Sequence, residues 1–396
     1  MLGVLSWIVA IVGLGFLILA HEFGHFIVAK ATGMRVEEFS LGFGRYLWSK
    51  RIGETIYGIS MLPLGGYVRV TGMHKEEFEA RVAEARQAQE EGDVPSTLRR
   101  RPGPSRRRPR DPEDRLAGPR ALSAAEIAST PLERRYYAHP FWHKLLFIVA
   151  GVIMNVLFAF ILIFGVGLAQ GEAVVSTVIE SVETATPAAG AGLQPNDVIL
   201  AIGDRKTDSW EDLRTEILTR PNEKVTLTVR RGEDVVTLDV TLAEREDGTG
   251  YLGIRPYAQQ RDLGFGAALG YAGRTLGNMF KMIFVGLKMM FTGQVAVTGS
   301  EGLAGPVGIL QLSSEAFRGG YFFMLLALIS VNLAVFNMLP VLPLDGGHVL
   351  FSIIEKVRGK SISLRVFERV SMVGLLLFLA LFVIATGNDI GRILGG

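Results

Sequence analysis

The apolar positions of this chain gather into four long runs, each suited to a helix that crosses a bilayer, which takes about 20 apolar residues. The first covers Leu2 to Ala20 and continues past a polar interruption to Ala29. The second, Phe141 to Ala169, carries Lys144 near its start. The third, Tyr321 to Leu344, has no charge over 24 residues, and the fourth, Val370 to Thr386, has none over 17. A cleaved signal peptide is the rival for the first run. That run lacks a basic start and a small-residue cleavage site, so a retained anchor is expected.

Between the runs the pattern changes. From Gly33 to Gly72 the chain is rich in Gly, aromatic and β-branched residues, with an apolar turn at Met61 to Tyr67, predicting short β-hairpins against the membrane. From His74 to Arg135 it is charged and Pro/Arg-rich, as in a solvated linker drawn to anionic lipid. Alternation from Gly171 to Tyr257 predicts strands at Ala173–Glu180, Asp197–Ile202, Lys224–Arg230 and Val235–Leu242. A helix is expected over Ser209–Arg220, capped by Ser209 or Asp208, and a hairpin turn at Arg230–Glu233. Phe265 to Thr292 is apolar, but Arg274, Lys281 and Lys288 fall seven apart on one stripe, which predicts an amphipathic helix on the membrane surface.

Composition agrees with a membrane protein: 49% of residues are hydrophobic, 20% are charged and mean hydropathy is +0.32, against about 25% charge in soluble domains. A net charge of +2 gives no reason to expect a nucleic-acid partner. The absence of cysteine excludes disulfides, iron–sulfur clusters and thiolate zinc, so a metal would need His and carboxylates. Lys and Arg flank the first and third connections and are sparse around the middle region. That puts both connections in the cytoplasm and both termini outside, in a multi-pass protein. The expected class is a polytopic α-helical membrane protein with four transmembrane helices, a membrane-associated β-hairpin region and one extracytoplasmic α+β domain. Its segments are an anchor at 1–30, hairpins at 31–73, a charged linker at 74–138 and a second span at 139–169. An external domain at 170–258, interfacial helices at 259–320, a third span at 321–344, a cytoplasmic connection at 345–369 and a last span at 370–396 complete the chain.

The chemistry is concentrated in the spans. The first holds His21-Glu-Phe-Gly-His25; on a helix, residues i and i+4 share a face, so both imidazoles can reach one Zn2+. Glu22 then lies beside the metal as a general base for water. A catalytic zinc takes three protein ligands. The third run ends Asn337-Met-Leu-Pro-Val-Leu-Pro-Leu-Asp345-Gly-Gly-His348, which brings Asp345 to the depth of the histidines, with His348 as its rival. Asn337 and Asn155, amides inside apolar runs, are candidates for holding an extended substrate or for hydrogen bonding between helices.

These residues together resemble the site-2 protease family of intramembrane zinc metalloproteases, of the bacterial regulator-of-sigma-E protease type. The resemblance rests on HExxH in the first span, N-x-x-P-x-x-P-L-D-G in the third and Gly151-x-x-x-Asn155 in the second. The Leu62-Pro-Leu-Gly-Gly-Tyr-Val68 hairpin adds to it, as does a segment, Ala188 to Ile199 with Gly250 to Ile254, similar to bacterial PDZ domains. One PDZ-like domain with an Arg-rich insertion looks most like actinobacterial, including mycobacterial, members.

The resemblance implies His21, His25 and Asp345 as zinc ligands, Glu22 as base, Asn337 in contact with substrate, and strand addition at Gly65 and Gly66. The implied partners are single-span membrane proteins such as anti-sigma factors, cut after an upstream protease has trimmed them. The implied location is a bacterial plasma membrane. A zinc or proton transporter and a non-catalytic PDZ adaptor are the alternatives from other classes.

Overall fold

The computed structural model describes residues 2–73, 75–76, 78–80, 82–83, 124–245, 248–294, 299, 302 and 304–395. Most of the linker expected at 74–138 lies outside the described residues. The chain begins with α1 (Leu2–Ala31), β1 (Val36–Ile52), β2 (Thr55–Val70), α2 (Ala124–Ala128) and α3 (Phe141–Gln170). There follow β3 (Glu172–Val182), α4 (Pro187–Gly190), β4 (Val198–Ile202), β5 (Arg205–Lys206), α5 (Trp210–Leu218), β6 (Lys224–Arg231) and β7 (Asp234–Thr241). It closes with β8 (Ala243–Glu244), β9 (Gly250–Tyr251), β10 (Ile254–Arg261), α6 (Phe265–Phe291), α7 (Pro306–Arg318), α8 (Phe322–Asn337), α9 (Asp345–Arg358) and α10 (Leu364–Gly395). Two compact units result: Met1–Ile163 with Ala272–Gly396, and Phe164–Tyr271.

Among the described residues, three helices are long and apolar enough to cross a membrane: Gly3–Ala31, Phe141–Gln170 and Leu364–Leu394. On α10 Met372, Val373, Leu376 and Phe378 are all more than half exposed, a face that water would penalise and lipid would not. The third run is helical over only part of its length. Its helix stops at Asn337 after 16 residues, about 24 Å at 1.5 Å per residue, short of the roughly 30 Å bilayer core. Pro340 and Pro343 have no N–H to continue the ladder, so the chain turns and a new helix starts at Asp345. The fourth run also differs, because its helix continues at both ends through polar residues. Asp389 there is buried and accepts from the backbone N–H of Gly305 (3.0 Å) and Gly308 (2.9 Å), capping the start of α7. α7, expected at the membrane surface, buries Ser313, Ser314 and Ala316. Ser314 Oγ meets Ser6 Oγ of α1 at 2.7 Å, since small side chains let the helices approach.

The hairpins form one sheet from two long, bent strands. Residues 36–41 of β1 pair with 66–70 of β2 on one side and, from residue 38, with 56–59 on the other, while 46–52 folds back onto 55–60. The segment 66–70 is therefore an edge. The turn is held to the end of α1: Glu54 accepts both arms of the Arg134 guanidinium (2.7 and 2.8 Å) and the Lys30 ammonium (2.9 Å). Arg134 above all holds the Glu54 carboxyl down at about 2.

A group whose pKa is depressed by folding contributes stability above its unfolded value, here about 4.5, and loses it as pH falls toward 2. Glu54→Gln is thus expected to lower stability at pH 7 by about 1–2 kcal/mol, allowing for partial solvent screening. The difference from wild type should narrow below about pH 4, as tryptophan-fluorescence melts in detergent would record. A gap unchanged down to pH 3 would remove this ion pair from the account.

In the second unit the sheet order is β10-β3-β4-β6-β7, with β5 paired to β4. Alternate residues Val225, Leu227 and Val229 of β6 point inward to meet Ile199 and Ile202 of β4 and Leu213 of α5. Ser209 caps α5 through the Asp212 N–H at 3.2 Å, and Gly232 takes φ +63° in the β6–β7 turn. α6 buries Ala268, Ala272, Met279 and Ile283 along one face and exposes Arg274 and Lys281 on the other.

Candidate metal centre

Helix α1 carries His21 and His25 on one face, each 7% exposed. Their Nε2 atoms are 3.3 Å apart, and Asp345 Oδ2 stands 3.2 Å from the first and 3.4 Å from the second. Among the described residues these three form a group whose donor atoms all lie within 4.8 Å of one another. Zinc bonds of about 2.0–2.2 Å at tetrahedral angles separate neighbouring donors by about 3.3 Å, so this triangle has the size of one face of such a site. Asp345 Oδ2 is also buried without a hydrogen bond. A carboxylate oxygen facing two imidazole nitrogens in this way is an arrangement that a bound cation would satisfy. The donor set therefore fits zinc, and it matches the three protein ligands of catalytic rather than structural sites.

The surroundings hold the rings in place. His25 Nδ1–H donates to the Phe147 carbonyl of α3 at 2.7 Å, which leaves Nε2 free as a ligand atom. The Asn155 amide lies 3.1 Å from His21 Nδ1, and Ser330 Oγ of α8 donates to the Asn155 carbonyl at 2.9 Å. Asn155 is fully buried. In this structure its side-chain amide contacts His21. One turn before Asn155, a Cβ on Gly151 would press on His25 Nε2 and come within 2.6 Å of His21 Cε1 and 2.7 Å of His21 Nε2. The bare backbone of α3 forms one wall of the centre.

Glu22, next to His21, is half-buried. Its side chain runs against the edge strand: a Cβ on Gly66 would lie 2.8 Å from Glu22 Cγ and 2.9 Å from the Ser40 carbonyl. Gly65 has φ +140°, which glycine tolerates best, and packs on the Phe43 ring. Asn337 is the half-buried last residue of α8, eight positions before Asp345. His348, the rival ligand, is outside the donor group; its ring packs on Phe367 at 5.4 Å between centroids.

Sequence reasoning missed the Phe147 carbonyl, which leaves no trace in residue identities, and the wall made by Gly151. The four-residue spacing of Gly151 and Asn155 was the available signal, since it puts both on one face of α3.

Comparison with known proteins gives this geometry its context. The sequence model of Peptidase family M50 matches residues 9–381. Zinc metalloprotease RasP of Shouchella clausii is 30% identical over 416 residues, covering 95% of this chain and 96% of its own length. Regulator of sigma-W protease RasP of Bacillus subtilis is 28% identical over 419 residues, covering 96% of each chain. Among solved structures, the PDZ domain of an SdrC-like protein from Listeria monocytogenes is similar to 20% of this chain and 86% of its own, at 23% identity and a TM-score of 0.19. A match running from α1 into α10, with relatives aligned over nearly their full length, makes this chain a member of peptidase family M50, the site-2 protease family, and a zinc metalloprotease.

Proposed function

We propose that the protein cuts peptide bonds inside the membrane-spanning segments of single-span proteins, such as anti-sigma factors, once another protease has removed their external part. The observation that carries this reading is the convergence of His21, His25 and Asp345 on one point at the end of an apolar, membrane-length helix, with Glu22 beside them. Peptidase chemistry at that depth acts on chain that is itself in the bilayer. The Bacillus subtilis relative is named a regulator of sigma-W, and the proposed substrate class follows that name. The proposed arrangement has four crossings, with α8 as a short third one, both termini outside and the metal centre toward the cytoplasm. Lys30, Arg134, Arg135 and Lys144, at one end of α1 and α3, support that orientation.

In this reading His21, His25 and Asp345 hold the zinc, which supplies Lewis acidity toward water and the scissile carbonyl. Glu22 accepts the proton of the attacking water and returns it to the leaving amine. A helical peptide bond is shielded by its own ladder and must be drawn out before attack. The edge at residues 65–70 offers unpaired backbone for an added strand, and Gly65 and Gly66 keep that edge clear beside Glu22. Asn337 holds the substrate backbone as it leaves the helix.

Asn155 orients His21: its side-chain amide at Nδ1 holds the ring so that Nε2 faces Asp345. The unit Phe164–Tyr271 acts as a PDZ-like external domain that screens substrates still carrying bulky ectodomains. The test is cleavage of a purified single-span reporter with the cut mapped by mass spectrometry, which should fall within the apolar segment. Cuts confined to the soluble flanks would overturn the intramembrane assignment. Asp345→Asn should lower zinc affinity on the order of 100-fold or more, since it weakens a ligand and not merely a ligand's support, and metal analysis after dialysis reads this directly.

A further inference from the structure

A second site lies on the helix that carries Asp345. Between the first turn of α3, α9 and the chain leading into α10 is a cavity of about 570 Å³. Four cations line it, Lys75, Lys144, Lys356 and Lys360, along with the hydroxyls of Ser352 and Ser361. Its four lysines outnumber its two carboxylates, Glu76 and Glu355, which also hold backbone. Glu355 accepts from the Ile362 N–H at 2.8 Å and Glu76 from the Leu364 N–H at 3.0 Å, so both brace the wall. The lysines stand over aromatic faces: Lys144 over Tyr136 at 5.6 Å, Lys75 over Tyr137 at 5.9 Å and Lys356 over Phe141 at 6.0 Å. The cavity opens at the first turn of a 30-residue apolar helix, beside Trp142, which is 72% exposed. Lipid headgroups lie at that level, and tryptophan favours it.

We propose that this cavity binds the phosphate of an anionic phospholipid, with Lys144, Lys356, Lys360 and Lys75 as its cationic lining. Excess positive charge in a pocket between helix ends suits one phosphodiester, and the apolar flank of α3 accommodates the acyl chains that go with it. Lipid there would brace the loop between α9 and α10, and α9 begins at Asp345. The membrane composition would then act on the position of that carboxylate. The inference rests on the chain lying in a membrane and not on any catalytic role.

The experiment uses the full chain in detergent and counts retained lipids by native mass spectrometry. Phosphatidylglycerol is compared with phosphatidylcholine, in wild type and in the Lys356→Gln/Lys360→Gln double variant, whose two side chains are both exposed. Wild type should prefer phosphatidylglycerol, and the variant should bind it about ten- to thirty-fold more weakly, the effect of removing two interfacial cations. Equal retention of both lipids by wild type, or of phosphatidylglycerol by both proteins, would overturn the site. Displacement of the lipid by excess inorganic phosphate alone would overturn the lipid assignment and leave a free-phosphate site. Because the readout is bound lipid, an inactive protease preparation does not affect the outcome.

Discussion

Glu22→Gln is expected to cut the rate of reporter cleavage by about 10²–10⁴-fold, the usual contribution of a positioned general base, while zinc content stays at the wild-type level. The substitution keeps the shape of the side chain and removes its ability to take a proton. Glu22 is not one of the three groups whose donor atoms converge, so the ligand set is untouched. Its side chain sits against Gly66 of the edge strand, and an isosteric amide fits the same space, so the melting temperature should not move. The measurement pairs metal analysis with single-turnover cleavage in one preparation. Cleavage at the wild-type rate with full zinc would take the base assignment away from Glu22. Loss of zinc together with cleavage would instead make Glu22 part of the metal's support.

Gly151→Ala is expected to act on the metal itself. The added methyl would stand 2.6–2.7 Å from ring atoms of His21 and press directly on His25 Nε2, well inside carbon–carbon contact of about 3.5–4.0 Å. The helix cannot easily back away, because Phe147 and Asn155, on either side of Gly151, are the groups that hold the two rings. Either the rings turn off the shared point or α3 shifts and releases them, and zinc affinity should fall by about 100-fold or more in both cases. Overpacking of this kind costs about 1–3 kcal/mol of stability, so the helical unit should still assemble. Gly165→Ala on the same helix is the control, since a Cβ there meets nothing within 4 Å; it should bind zinc and cleave as wild type does. A Gly151→Ala protein with unchanged zinc affinity would mean that the α3 backbone does not wall the centre.

The contrast between these two glycines shows what residue identities reveal. Both belong to the same apolar run, and nothing in their types separates them. The motif spacing of Gly151 and Asn155 marks one of them out, yet that spacing also suits ordinary packing of helices through small residues. Asn155 shows the same ambiguity from the other side. An amide in an apolar run can serve a substrate or a neighbouring helix, and only the fold shows that this one is buried against His21.

The sequence by itself determined the helices, because long uncharged runs can satisfy their backbone in lipid only within each helix. It determined the pairing of His21 with His25 as well, because a four-residue spacing on a helix is a local distance. It also marked the end of the third run, where two prolines remove the donors that a longer helix would need. Tertiary structure alone decided which side chain joins the two histidines: Asp345 and His348 are three residues apart, and only the turn after α8 sends one to the metal centre and the other to Phe367. It likewise decided that residues 66–70 form an edge strand over Glu22, and that a backbone carbonyl on α3 fixes His25. Contacts between residues more than a hundred positions apart depend on how helices pack against one another. Packing is set by shape and close approach across elements, and no local pattern records it.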